Sequence, residues 1–396
     1  MSEWKTYKLG DVGKIITGKT PPTANLEYFG DKYPFITPRD MNTQKVILST
    51  ERYLSDTGKE YLKNNLLPKK SICVSCIGSD LGKVVVTSQE SFTNQQLNSI
   101  VCSEKFDEDF IYYTCVQLSE QIRTIGKSST AVPIVNKTSF SGFEFSAPKD
   151  KTTQTAIAQI LTSLDDKIEL NLQMNQTLEA MAQAIFKEWF VDFNFPGFDG
   201  DLVDGLPKGW RKEPIDKSIE FLNGLALQKY PPLSDDDFLP VIKIRELRQG
   251  VTNSSDKAST QIPEKYVIEN GDILFSWSGS LEVVMWCNGQ GALNQHLFKV
   301  SSEKYPKWFY YYWTKYFLPK YQATASDKAT TMGHIQRRHL TESIINVPDF
   351  DLLNIANDIL EPLLEKLKTN SLQIQSLTQT RDTLLPKLMS GQLEVV

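Results

Sequence analysis

The sequence predicts an α+β protein in which two similar mixed α/β domains are separated by two long helices. The helices form an antiparallel coiled coil, and the whole has pseudo-two-fold symmetry. Three observations predict this. Short motifs of the first half recur in the same order about 200 residues later. Each half closes with a helical pattern of roughly 40 residues, judged by its apolar periodicity. A stretch rich in Gly, Pro and Asp, FNFPGFDGDLVDGLPKGW (193–210), divides the halves.

The repeat is legible motif by motif. Trp4-Lys5 is echoed by Trp210-Arg211, and PFITPRDM (34–41) by PVIKIREL (240–247), both 206 residues on. The second match keeps Ile36/Ile242, Arg39/Arg245 and Asp40/Glu246. SICVSCIGS (71–79) aligns with DILFSWSGS (272–280), and TNQQL (93–97) with LNQHL (293–297), at offsets of 201 and 200. The aromatic runs FIYY (110–113) and FYYYW (309–313) and the tripeptides SAP (146–148) and NVP (346–348) complete the series. A drift from 206 to 199 corresponds to a few short deletions in loops. The domains are expected at residues 1–148 and 195–348, with spacer helices at 149–194 and 349–396.

The first long helix is expected from about Lys151 to Val191, capped by Asp150 or a nearby Thr and stopped by Pro196-Gly197. Read at a seven-residue step it shows two stripes: Ile157, Leu164, Asn171, Leu178, Ile185, and Leu161, Ile168, Asn175, Ala182, Trp189. The second, from about Asp351 to Met389, gives Ala356, Leu363, Asn370, Leu377, Leu384 beside Leu360, Leu367, Ile374, Arg381, Leu388. These are coiled-coil seams with polar interruptions. Antiparallel pairing would place Ile157 near Leu384 and Ile185 near Ala356, and bring the midpoints Asn171 and Asn370 together. Two readings of the asparagines stay open: a mutual hydrogen bond that fixes register, or exposure at a seam edge. Pro362, inside the second pattern, is expected to kink or restart that helix.

Composition narrows the functional classes. No apolar run approaches the ~18 residues of a membrane span. The opening MSEWKTYKLGDVGKI lacks a signal-peptide layout, so a cytoplasmic protein is expected. Five cysteines, an odd number, suit a reducing compartment. The net charge of −5 gives no general attraction to nucleic acid, so any such attraction must be local.

GKIITGKT (13–20) fits the phosphate-loop pattern G-x-x-x-x-G-K-[ST], which would make the chain an ATPase. That chemistry requires a helix after the loop so that free backbone N–H groups face the phosphate. Pro21-Pro22 block a helix, and the second half keeps only Gly224, with no counterpart of Lys19 or Thr20. The segment therefore reads as a strand followed by a basic turn. CVSC (73–76) lacks the second ligand pair of a metal site, and its counterparts are Leu274 and Trp277. All four read as strand core. His296, His334 and His339 accompany no nucleophile motif, so no catalytic residue and no metal ligand is assigned. The rings of WFYYYWTKYF (308–317) read as the core of a helix rather than as base-stacking platforms.

What remains is a distribution suited to DNA. QIRTIGKSSTAVPIVNK (121–137) carries three positive charges and no negative one. KYQATASDKATTMGHIQRR (320–338) carries Lys320, Lys328, Arg337 and Arg338 against Asp327. Positive and hydroxyl side chains position a protein on phosphates, and amides and imidazoles read base edges. The first half offers Thr17, Lys19, Thr20, Arg39, Ser75, Ser79, Asn94, Gln95, Gln96, Lys127, Ser128, Ser129, Thr130 and Lys137. The second offers Lys243, Arg245, Ser276, Ser278, Asn294, Gln295, His296, Lys328, Thr330, Thr331, His334, Arg337 and Arg338.

These features together resemble the specificity subunits of Type I restriction-modification systems. WKTYKLGDVGKIITGKTPP resembles the start of a target-recognition domain, and SSTAVPIVNKTSFSGFEFSAP (128–148) its end. QTAIAQILTSLDDKIELNLQMNQTLEAMAQAIFKEWFVDF (154–193) resembles the central helical region, and SLTQTRDTLLPKLMSGQLEV (376–395) the C-terminal ending. SDKATTMGHIQRRHL departs from the wording of the first domain, as expected if the two domains read different sequences. The resemblance implies a subunit without catalysis that reads a bipartite, asymmetric double-stranded DNA target. It would dock two methyltransferase subunits and be joined by restriction/motor subunits. S-adenosylmethionine, ATP and Mg would belong to those partners, and no membrane is involved. A stand-alone bipartite DNA-binding regulator is the alternative.

Overall fold

The computed structural model describes residues 3–41, 44–127, 133–234, 236–326 and 333–395. Two compact units emerge: Met1–Glu169 with Leu377–Val396, and Leu170–Ser376. Among the described residues no helix is long and apolar enough to cross a membrane, and no group of three or more His, Cys, Asp or Glu could hold a metal ion.

In the first unit, alternating apolar residues build a five-stranded sheet. Its order is Gly13–Thr17, Leu97–Cys102, Ile72–Ser75, Val84–Thr87, Val46–Ile47. The register pairs Ile16 with Ser99 and Cys73 with Val85. A short parallel pair, Phe35–Phe92 and Ile36–Thr93, belongs to a second, four-stranded sheet with Phe29–Gly30 and Tyr53–Leu54. Trp4–Lys8 pairs antiparallel with Glu144–Pro148 and closes the unit, matching Trp4 to Pro148. The helix Glu108–Lys127 covers the main sheet and buries Phe110, Ile111, Tyr113 and Ile122.

The second unit repeats this plan. Its main sheet runs Glu220–Asn223, Leu297–Ser301, Ile273–Ser276, Val283–Met285. Val241 and Ile242 pair in parallel with Ala292 and Leu293. Arg211–Pro214 pairs with Ile344–Val347, and Lys307–Ser326 is the covering helix. Its rings Trp308, Phe309, Tyr312 and Trp313 are buried, as read from the sequence. The strand expected at CVSC is also found, with Cys73 and Cys76 in the core. Burial pushes the Cys73 thiol up to about 12 and Cys76 up to about 11, so neither offers a thiolate near neutral pH.

Both long helices are present and uninterrupted, Lys151–Phe190 and Phe350–Met389. Asp150 Oδ1 accepts from the Thr153 N–H at 2.8 Å and Asp349 Oδ1 from the Leu352 N–H at 2.9 Å, so each N-terminus is capped by the preceding Asp. Two details differ from the sequence reading. The first helix ends several residues before Pro196, where the chain turns away through a left-handed Phe193 (φ 63°). Pro362 does not restart the second helix, which continues unbroken through it. It removes one backbone donor, but Leu360, Leu364 and Leu367 around it are buried and hold the helix by packing.

Pairing within each unit is antiparallel. In the first, Ile157 and Leu161 share a core with Leu384 and Leu388, and Asp165 meets Arg381 at 2.8 Å. In the second, Leu178, Ala182 and Ile185 share one with Ala356, Leu360, Leu363 and Leu367. Asn171 and Asn370 are fully buried, which removes the seam-edge reading. They do not bond to each other either. Asn171 Nδ2 donates to Gln373 Oε1 at 3.1 Å, and Asn370 Nδ2 donates to Asn175 Oδ1 at 3.0 Å. Antiparallel helices meet side chain to gap, so each midpoint amide finds a polar neighbour one turn along the opposite helix.

Candidate nucleic-acid interface

In each unit several of the expected DNA-facing residues lie on or beside one turn. In the first it is Asn94–Gln96, after the short parallel pair. The Asn94 N–H donates to Ile36 O at 3.1 Å, and Asn94 Oδ1 accepts from the Gln96 N–H at 3.1 Å. The Cys76 N–H donates to Gln96 O, and the Val135 N–H to Cys76 O, both at 2.8 Å. The hairpin after Ile72–Ser75 and the segment leading into the short helix Lys137–Ser141 are thereby stitched to the same turn. The Lys19 N–H donates to Thr93 O at 2.9 Å and the Gly18 N–H to Leu97 O at 3.0 Å, which brings the basic turn alongside.

The second unit reproduces this bond for bond. The Asn294 N–H donates to Ile242 O, and Asn294 Oδ1 accepts from the His296 N–H at 3.2 Å. The Trp277 N–H donates to His296 O and the Ile335 N–H to Trp277 O. The glycine common to both basic-turn positions has a common cause. A Cβ on Gly18 would lie 2.1 Å from Asn94 O, and one on Gly224 2.3 Å from Asn294 O. Only glycine lets the two backbones approach so closely.

The phosphate-loop match is explained here. Gly13–Thr17 is a strand, and the next element is only a single 3-10 turn, Leu26–Tyr28, rather than an α-helix opening on the loop. The Gly18 and Lys19 N–H groups that would cradle a phosphate are already bonded to carbonyls.

A second shared device presents an arginine. Asp40 Oδ2 accepts from the Thr37 N–H at 2.8 Å, and Glu246 Oε2 from the Lys243 N–H at 3.2 Å. Arg39 and Arg245 follow on the turns so fixed, and both are exposed. Arg245 also reaches Glu246 Oε1 at 2.7 Å. Burial raises the pKa of the Glu246 carboxyl, but hydrogen bonds from Arg245, Ser255 and nearby backbone outweigh it and hold the group below its ordinary value.

The candidates divide by what their side chains already do. Lys19, Arg39, Ser79, Gln95, Lys137, His296, His334, Arg337 and Arg338 are exposed, with Thr20, Gln96 and Gln295 half-buried beside them. Thr20 Oγ1 donates to Gln95 Oε1 at 2.7 Å. Ser75 and Ser276 are fully buried, and each hydroxyl serves its own hairpin, bonding Lys83 N and Glu282 N. Thr17 donates to Asn98, and Asn94 and Asn294 are occupied in shaping the turn. Ser278 is buried against His296 Nδ1 at 3.2 Å, and Lys243 is paired with Asp256. These groups build the surface and leave contact to their neighbours. Arg337 partly turns away, donating to Phe221 O at 3.4 Å and lining a cavity of about 870 Å³ beside the edge strand Glu220–Asn223. Ser128, Ser129, Thr130, Lys328, Thr330 and Thr331 lie outside the described residues, as does the side chain of Lys127.

Three residues escaped the sequence reading. Arg52 and Asp80 line a depression of about 570 Å³ with Thr37, Arg39, Asn94 and Gln96. Nothing local in the sequence marks Arg52, which arrives there because Phe35 N–H bonds its carbonyl. Trp277, expected in the strand core, lies instead just past the strand, half-buried between His296 and His334.

Comparison with known proteins follows the same two-part division. A family model described as the Type I restriction modification DNA specificity domain matches residues 1–180 and 207–379. The two matches begin 206 residues apart and end 199 apart, as the repeat does. Over 412 residues the chain is 27% identical to the Type I restriction enzyme MjaIX specificity subunit of Methanocaldococcus jannaschii, spanning 99% of this chain and 94% of that one. Over 147 residues it is 39% identical to the HindI specificity subunit of Haemophilus influenzae, spanning 37% of this chain and 32% of that one. In fold it is similar to the S subunit of a Type I restriction-modification system from M. genitalium, with a TM-score of 0.61 at 16% identity, covering 98% and 96% of the two chains.

Proposed function

The chain belongs to the Type I restriction modification DNA specificity family, and from that premise we propose that it is the subunit that selects the DNA sequence on which a restriction-modification complex acts. It is a recognition subunit and not a catalyst. The observation that carries this reading is the turn built twice, at Asn94–Gln96 and Asn294–His296, with an arginine turn beside each. Each turn presents groups suited to base edges, and each neighbouring arginine suits phosphate or guanine. Each unit reads one half of a bipartite target. Because the presented residues differ (Gln95 and Gln96 in one unit, Gln295 and His296 in the other), the halves differ and the target is asymmetric.

The finer assignments belong to the same proposal. Two methyltransferase subunits dock on the chain, and restriction/motor subunits join them. S-adenosylmethionine, ATP and Mg are held by those partners, and the complex works in the cytoplasm. Mapping methylated adenines in cells with and without the chain tests this. One bipartite motif should lose its methylation when the chain is deleted. An unchanged map, with the purified chain still binding one site tightly by itself, would instead support a stand-alone regulator.

A further inference from the structure

Trp277 is a point of exchange within an otherwise matching stretch of the two units. Its counterpart 201 residues earlier is Cys76, which is buried. Trp277 is half-buried and held at every polar atom. Its backbone N–H and C=O bond to His296 and Ile335, and its indole N–H donates to Asn223 Oδ1 at 3.0 Å. One side of the ring rests near Phe298, with centroids 5.9 Å apart and planes at 32°. His296 and His334 flank it at 6.1 and 6.4 Å. A rigid ring with its one donor engaged offers a partner no hydrogen bond, only apolar contact.

We propose that Trp277 is a specificity-determining residue of the second unit that recognises thymine by contact with its 5-methyl group in the major groove. This rests on the DNA-reading function proposed above. The geometry favours a methyl contact over stacking on a displaced base, because Phe298, His296 and His334 already surround the ring at 5.9, 6.1 and 6.4 Å. The methyl is the apolar feature of the major groove that separates thymine from the other bases. The flanking His296, with Ser278 on its Nδ1, supplies polar contact to the adjacent position.

The test replaces thymine by uracil, which lacks only that methyl, one position at a time in the mapped target bound by the full chain in its methyltransferase complex. At one thymine of the half-site read by the second unit, affinity should fall roughly fourfold, the worth of one buried methyl. The Trp277→Ala variant should bind thymine and uracil there equally, while keeping its response to uracil in the other half-site. The duplex substitution leaves the protein untouched, so a folding defect in the variant cannot mimic the wild-type result. Uracil tolerated at every thymine of that half-site, a half-site without an A·T pair, or a uracil penalty that persists in Trp277→Ala would each overturn the proposal. Failure of the DNA-reading function itself would look different, since no specific duplex would be bound.

Discussion

Tyr113 and Tyr312 occupy equivalent places in the two covering helices, yet their hydroxyls have opposite surroundings. Tyr113 donates to Asp165 Oδ2 at 2.6 Å, and Asp165 is also held by Arg381. The positions corresponding to Asp165 and Arg381 in the second unit are Leu364 and Ala182, and the buried Tyr312 hydroxyl has no partner. Losing a hydrogen bond to a charged group costs about 1.5 to 3 kcal/mol. Tyr113→Phe should therefore lower stability by that amount in thermal melts, whereas Tyr312→Phe should be neutral or slightly stabilising. Equal effects would contradict the assignment. A similar exchange separates Tyr7, edge-on to Phe106 at 5.2 Å, from Glu213, which accepts from Tyr305 at 3.0 Å. Burial raises the Glu213 pKa, but bonds from Ser218 and Tyr305 and the charges of Lys304 and Arg211 outweigh it and hold the carboxyl below its ordinary 4.5. A depressed carboxylate stabilises above its unfolded pKa and loses that contribution as pH falls through the folded one. Melting temperature should thus drop below pH 4.5, and less steeply in Glu213→Gln. An identical slope would exclude Glu213. The sequence shows these tyrosines as members of matching aromatic runs. Their partners are not legible in it, because Asp165 and Arg381 reach Tyr113 only through the folded helices.

The long helices were the most legible elements, since periodicity over many turns averages out local ambiguity. Their limits, expected at about Lys151 to Val191 and Asp351 to Met389, match to within a residue, but what sets them was less legible. Phe193 and not Pro196 turns the chain, and packing overrides Pro362. The asparagines at the midpoints follow from burial. Asn171 and Asn370 each keep one oxygen without a partner, so they weaken the seam while specifying its register. Replacing both by Leu should raise stability by about 1 kcal/mol and loosen register. Cysteines introduced at positions in register and one heptad out should then cross-link in both combinations. A single cross-linked species in the Leu variant would show that register is set elsewhere. The candidate turns were half legible. TNQQL and LNQHL mark the place, but the sequence cannot show that Asn94 and Asn294 bond inward and that Gln95 and His296 are the exposed members.

For the molecule as a whole, the repeat found in the sequence is also a repeat of fold and of hydrogen bonds. Main sheet, parallel pair, covering helix and closing strand pair recur in order, and so does the turn over Gly18 and Gly224. What the second copy does not preserve is the chemistry it presents: Trp277 for Cys76, His296 for Gln96, His334 for Ile134. Conserved architecture with exchanged surface is what two readers of unlike half-sites require. The most direct measurement is the methylated-adenine map of cells whose only copy of the chain carries Gln95→Ala with Gln96→Ala, set beside cells carrying Gln295→Ala with His296→Ala. Each pair should relax or change one half of the motif, a different half in each case, and leave the other half intact. Changes to both halves from either pair, or a motif untouched by both, would contradict two independent readers on one chain.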